Sequence, residues 1–134
     1  MIESKKFLCL CYYDEPAFKS WTPSDHQAVV EACQPHDRAL RATGKVVLSS
    51  SLAEPHQACV IRGSAAGPEM SPGPYAQTSQ PVGAAFIVEA ESMDEAVLVA
   101  ALHPGVNVAQ FRGMKGGIEV RELVHVEMST PKPA

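Results

Sequence analysis

"VGAAFIVEAESMDEAVLVAALHPG", residues 82–105, decides the fold. Its first nine residues, 82–90, are apolar in both phases of the strand alternation, which marks a strand covered on both sides. Ser92 and Glu95 in "SMDE" then form a capping box, the cap hydroxyl taking the third amide and the glutamate reaching back. "EAVLVAAL" continues as a helix until "HPG", where Pro104 and Gly105 stop it. The stretch therefore predicts an inner strand followed directly by a helix near 93–103.

The N-terminal half repeats that order. "KKFLCLCYY" (5–13) is an apolar, aromatic run without helical gaps, a second central strand. "DEPAFKSW" reads as a loop. "TPSD" (22–25) combines a threonine cap, proline at the first helical position and aspartate at the third, so a helix is expected near 23–43, ending at Gly44. Pro35 removes the hydrogen bond to the Glu31 carbonyl and predicts a kink or break. "KVVLSSSL" (45–52) and "QACVIR" (57–62) read as short strands, and a glycine- and proline-rich region with an extra β segment near 68–72 runs on to Pro81. "GIEVRELVHVEM" (117–128) alternates apolar and polar residues, a half-exposed strand. Residues 1–128 form one domain on this reading, and "STPKPA" (129–134) a disordered tail.

Two strand–helix–strand units with right-handed crossovers imply an α+β fold of the ferredoxin-like βαββαβ plan. It has a four-stranded antiparallel sheet with both helices on one face. Strands 7–13 and 82–90 should be its inner neighbours. The other sheet face needs cover, and a homodimer through that face is the simplest way to supply it.

Composition narrows the partners. The chain has 134 residues, 46% hydrophobic and 19% charged, with a net charge of −4. That balance is globular and argues against nucleic acid and against an anionic membrane surface. The apolar runs are far shorter than the roughly 20 residues of a spanning helix. The lysines before "FLCLCYY" imitate a signal peptide, but no small-residue cleavage site follows, so a cytoplasmic location is expected. Cys9, Cys11, Cys33 and Cys59 lack zinc-site spacing and read as free thiols. No metal or cofactor is predicted. His56, His103 and His125 also lack ligand spacing, and His103, at a helix C-terminus, reads as a favourable place for an imidazolium.

Several stretches, taken in order, resemble the YCII-related proteins, in the branch named for a DGPF motif within the dimeric α/β-barrel superfamily. They are "FLCLCYYDE", "RATG", "SLAEP", "SPGPYAQTSQPVGAAFIVEA", "SMDEAVLVAALHPG" and "GGIEVREL". The resemblance implies a dimeric α/β barrel without cofactor. Where the family reads Asp-Gly-Pro-Phe, this chain has Pro72, Gly73, Pro74 and Tyr75. The turn survives and its charges do not, so a role for the motif's acid cannot pass to Pro72. Gly73 and Pro74 keep the turn, and Tyr75 anchors it.

Some relatives are thought to use a His–Asp pair, and His26 and Asp37 are the candidate catalytic residues here. On an ideal helix their eleven-residue separation brings them within about 20° of one face. It also sets them roughly 16 Å apart at about 1.5 Å per residue. A hydrogen bond between them requires the Pro35 break, and His36 is a rival imidazole. Otherwise His26 is solvated and Asp37 pairs with Arg41. Tyr12 and Asp14 end the first strand, where a phenol and a carboxylate can orient a small polar ligand. With Pro74 and Tyr75 they make the predicted binding set. The favoured function is small-molecule binding, with a regulatory role implied by the resemblance. The alternative is a small cofactor-free enzyme moving a proton on a lactone-like or unsaturated acid, with His26 as base and Asp37 orienting it.

Overall fold

Strand β1 (Lys5–Tyr13) is the axis of the fold in the computed structural model, which describes residues 4–129. After it come α1 (Glu15–Lys19), α2 (Pro23–Ala42), β2 (Val46–Ser51), β3 (Cys59–Ser64) and β4 (Gly67–Pro72). The second half contains β5 (Val82–Ala90), α3 (Met93–Ala100), α4 (Pro104–Asn107) and β6 (Gly116–Glu122). Four strands form one antiparallel sheet in the order β2-β5-β1-β6, so the two most apolar strands are its inner neighbours. The architecture is the expected ferredoxin-like α+β plan.

Alternation along these strands sorts the side chains by face. Phe7 and Cys9 of β1 and Phe86, Val88 and Ala90 of β5 point one way and are buried against Leu40 of α2 and Ala96, Val99 and Ala100 of α3. Leu8, Leu10, Ala85 and Ile87 alternate to the opposite face, which carries no helix and leaves them half-buried. The first capping box forms, Thr22 and Asp25 each accepting the other's amide, whereas at α3 Ser92 accepts the Glu95 amide but the Glu95 carboxylate takes the Glu91 amide and not that of the cap.

Five elements depart from the sequence reading. The 57–62 strand forms at 59–64 and leaves the main sheet, pairing with β4 as a separate hairpin in which Ile61 opposes Met70. A 3-10 turn at Pro55–Gln57 redirects the chain there. The "DEPAFKSW" loop contains α1, because Asp14 caps it and Pro16 suits a first turn. Helix α2 runs unbroken through Pro35. Pro35 and Glu31 are both exposed, so water can serve the carbonyl that the proline leaves unpaired. The helix expected to reach residue 103 stops at Ala100, and His103 instead caps α4. The 117–128 strand ends at Glu122, which opposes Phe7, and after Leu123 donates to the Lys6 carbonyl the ladder stops. Ser129 is exposed coil, and the rest of the expected tail, 130–134, lies outside the described residues. Among the described residues, no helix is long and apolar enough to cross a membrane.

Candidate functional site

At the C-terminal end of β1 the helix-bearing face of the sheet is not filled. The reason lies in the strands. Cys11 and Tyr13 continue the inward phase of Phe7 and Cys9, but only the small residues Ala84 and Gly83 lie beside them on β5. The β1–β5 register also slips here, Ala84 opposing Cys11 and Val82 opposing Tyr12, so Gly83 has no partner across the ladder. Such a bulge re-aims neighbouring side chains. The Tyr13 ring lies on the bare Gly83 backbone, where a Cβ would stand 2.7 Å from it. The resulting cavity of about 410 Å³ has Cys11, Tyr13 and Ala84 on the strand side, with Phe18, Phe111 and Met114 facing them. Leu52, Glu54, Asp14 and Lys115 stand around its rim.

His103 brings an imidazole into this mostly apolar lining, and three contacts fix its ring. It stacks on Phe86, with centroids 5.1 Å apart and planes 4° from parallel. Nδ1 accepts the Gly105 backbone N–H at 2.9 Å, which places the neutral ring's proton on Nε2. Nε2 then lies 3.9 Å from Cys11 Sγ. Burial lowers the imidazole pKa, against a smaller opposing pull from Asp37. The imidazolium expected at this position is therefore disfavoured, because the residue caps a helix start inside the protein. Burial, reinforced by Cys9, pushes the Cys11 thiol up to about 12. Imidazole and thiol face each other in their neutral forms, so no thiolate is available as a nucleophile.

Asp14 borders the cavity, and both its oxygens are occupied. Oδ1 accepts the Ala17 amide at 3.2 Å and Oδ2 the Lys115 amide at 3.3 Å. Tyr12 also borders it, while its hydroxyl donates to Glu119 at 3.1 Å, and that bond raises the phenol pKa. The pairing of His26 with Asp37 does not form. Because α2 continues through Pro35, the eleven intervening steps separate them by roughly 16 Å of helix. His26 packs edge-on against Phe18 and Trp21 instead. Asp37 exerts its charge on Cys33 and His103. Pro74 lines a different, polar cavity of about 400 Å³ with Gly73, Lys19 and His56. Tyr75 is 77% exposed, with the Arg62 guanidinium 4.9 Å above its ring. Gly73 holds the turn at φ +99°, its amide bonded to the Ala58 carbonyl.

Over residues 5–125 the sequence matches the YCII-related domain. The chain belongs to the YCII-related family. A protein of Rhizobium meliloti (strain 1021), itself described as uncharacterized, is 25% identical over 117 residues, covering 87% of this chain and 90% of its own. Within this YCII-related chain the Pro72–Pro74 turn and the apolar cavity are separate features. The turn lines the polar cavity beside α1, and His103 belongs to the apolar one. Cys11, Phe18 and Phe111 carried no signal as site residues, and "HPG" was legible only as a helix stop. Among the described residues, no group of three or more His, Cys, Asp or Glu side chains could hold a metal ion.

Proposed function

We propose that this YCII-related protein binds a small neutral molecule with an apolar body and one carbonyl-type acceptor, and does not transform it. The observation that carries the reading is the His103 tautomer. Its Nδ1 lone pair is occupied by the Gly105 amide, so Nε2 can donate a hydrogen bond into the cavity but has no lone pair for a proton. General-base catalysis needs that lone pair. A cavity of about 410 Å³ is within the range of small-molecule sites. Its rim has one cation, Lys115, against the carboxylates of Asp14 and Glu54, which argues for a neutral ligand over an anion. Binding without turnover suits a regulatory module.

A homodimer through the helix-free face is part of the proposal. Leu8, Leu10 and Ile87 there are half-buried and Leu48 is exposed, an apolar surface of the kind that marks an interface. Light scattering at micromolar concentration should report twice the chain mass, and a monomer would remove this part.

A thermal-shift screen comparing lactones, cyclic ketones and amides with the matching carboxylates tests the binding reading. Neutral compounds should raise the melting temperature, and His103→Leu, which keeps the apolar wall but lacks the donor, should abolish the rise. Conversion of any hit by wild-type protein would show an enzyme instead. A set of hits made up only of carboxylates would refute the neutral class.

A further inference from the structure

We propose that α1 and residues 108–115 form a gate over the apolar cavity, and that the Asp14 carboxylate is its latch. The proposal rests on the binding reading, since a gate matters only if the cavity takes a ligand. One whole side of the cavity comes from these two segments: Phe18 from α1, and Phe111, Met114 and Lys115 from the other. Neither belongs to the sheet. Helix α1 is five residues long and buries none of them fully. Residues 108–115 are anchored by buried Val108 at one end and by Gly116 at the other. Gly116 sits at φ +109° against the Tyr12 carbonyl, a place only glycine can occupy. Inside the segment, Gly113 at φ +80° allows a backbone bend.

Two contacts join the segments. Asp14 is the one side chain among the described residues that hydrogen-bonds both, Oδ1 to the Ala17 amide and Oδ2 to the Lys115 amide. The second contact is a cluster of rings. Trp21 stands 5.2 Å from Phe18, 5.4 Å from His26 and 5.8 Å from Phe111, centroid to centroid. Release of both amides by the Asp14 carboxylate frees the 108–115 segment from α1, after which ring contacts hold this side of the cavity in place. Asp14 therefore acts on the cavity through the two segments it joins.

The protein carries its own reporters. Trp21 is the single tryptophan. Cys11 lines the cavity, while Cys59 lies exposed on the hairpin as an internal standard. In the wild type, the Ala17 and Lys115 amides should exchange with solvent together, at a rate independent of low denaturant and faster than the amides of the β1–β5 ladder. Asparagine has one acceptor oxygen and can hold only one of the two amides. Asp14→Asn should therefore raise N-ethylmaleimide labelling of Cys11, relative to Cys59, by about tenfold or more, the effect of losing one carboxylate–amide hydrogen bond on an opening equilibrium. Acrylamide quenching of Trp21 should rise with it. The gate is overturned if wild-type Ala17 and Lys115 amides exchange only when the ladder does. It is equally overturned if a folded Asp14→Asn protein keeps wild-type labelling and quenching. The wild-type exchange decides the matter even if the variant does not fold. Neither measurement uses a ligand, so a failed ligand screen and a failed gate are separate results.

Discussion

Gly83→Ala tests the origin of the cavity most directly. A methyl group at Gly83 would stand 2.7 and 2.8 Å from two ring carbons of Tyr13, well inside van der Waals contact. The ring cannot simply swing away. It meets Phe18 edge-on at 5.5 Å, and its hydroxyl lies 3.4 Å from Glu15. Two effects oppose each other. Gly83 is not among the positive-φ glycines, so alanine restricts the unfolded chain and contributes about 0.4–1 kcal/mol of stability. Forcing a methyl group into occupied space costs about 1–3 kcal/mol. The clash wins, leaving a loss of about 1–2 kcal/mol and a melting temperature lower by roughly 3–8 °C. Calorimetry on the variant, on Tyr13→Ala and on the double variant measures the coupling. The double variant should be more stable than the sum of the two single changes implies, because the ring that clashes is gone. A Gly83→Ala protein as stable as wild type would mean that Tyr13 moves freely and that the bulge does not shape this wall.

Three further outcomes are expected. Burial holds the His103 pKa below the ordinary imidazole value, so between the two values the unfolded chain binds more protons. Stability contributed by the neutral ring is then fully present above about pH 6.5 and is lost as pH falls toward the folded-state value. His103→Gln should flatten that slope in urea titrations from pH 7.5 to 5, and an unchanged slope would show that the ring is not the cause. Phe86→Ala empties a site that is 2% exposed and removes the face on which His103 stacks. It should cost about 3–5 kcal/mol by urea unfolding, and a loss under about 1 kcal/mol would contradict the packing. Ser92→Ala removes the cap of α3 and should cost about 1 kcal/mol in the same assay, whereas no loss would show that the Glu95 amide finds another partner.

Fold and site were not equally legible. The four main strands and two long helices were readable because each carries its own local signal. Apart from Lys5, Lys6 and Glu89 at one end, the inner strands are apolar in both phases, and both long helices open with a capping residue followed by an acid three positions on. Such signals depend only on neighbours in sequence. The partnering of the 59–64 strand does not. "QACVIR" has the composition of a strand, and nothing in it states whether β5 or the following segment will be its neighbour. The Pro55 turn and the β2 pairing already made with β5 decide that, and β3 folds onto β4. Pro35 misleads for the opposite reason. The carbonyl that Pro35 leaves unpaired belongs to exposed Glu31, where water can satisfy it, and the helix continues.

The family resemblance and residue type suggested His26 and Asp37, because both have a side chain suited to proton transfer and lie in one predicted helical segment. What makes a residue functional here is the space in front of it, and that space is set by small residues on other elements. Ala84 and Gly83 on β5 leave the volume that larger residues would occupy, and His103, 19 positions after Ala84, reaches it only because its chain turns back as the cap of α4. The same turn consumes the Nδ1 lone pair. One backbone feature therefore both delivers the imidazole to the cavity and restricts it to donation. A substitution that releases the Gly105 amide without removing the ring would separate the two. Gly105→Pro has no amide hydrogen to give, so Nδ1 would be free to carry the proton and Nε2 free to accept one. The added ring carbons would stand close to the imidazole, since even a Cβ at Gly105 lies 3.0 Å from Nδ1. Nitrogen-15 spectra of the imidazole should then show the proton moving from Nε2 toward Nδ1. A variant that retains the Nε2–H tautomer would mean that the Cys11 contact, and not the Gly105 amide, selects it.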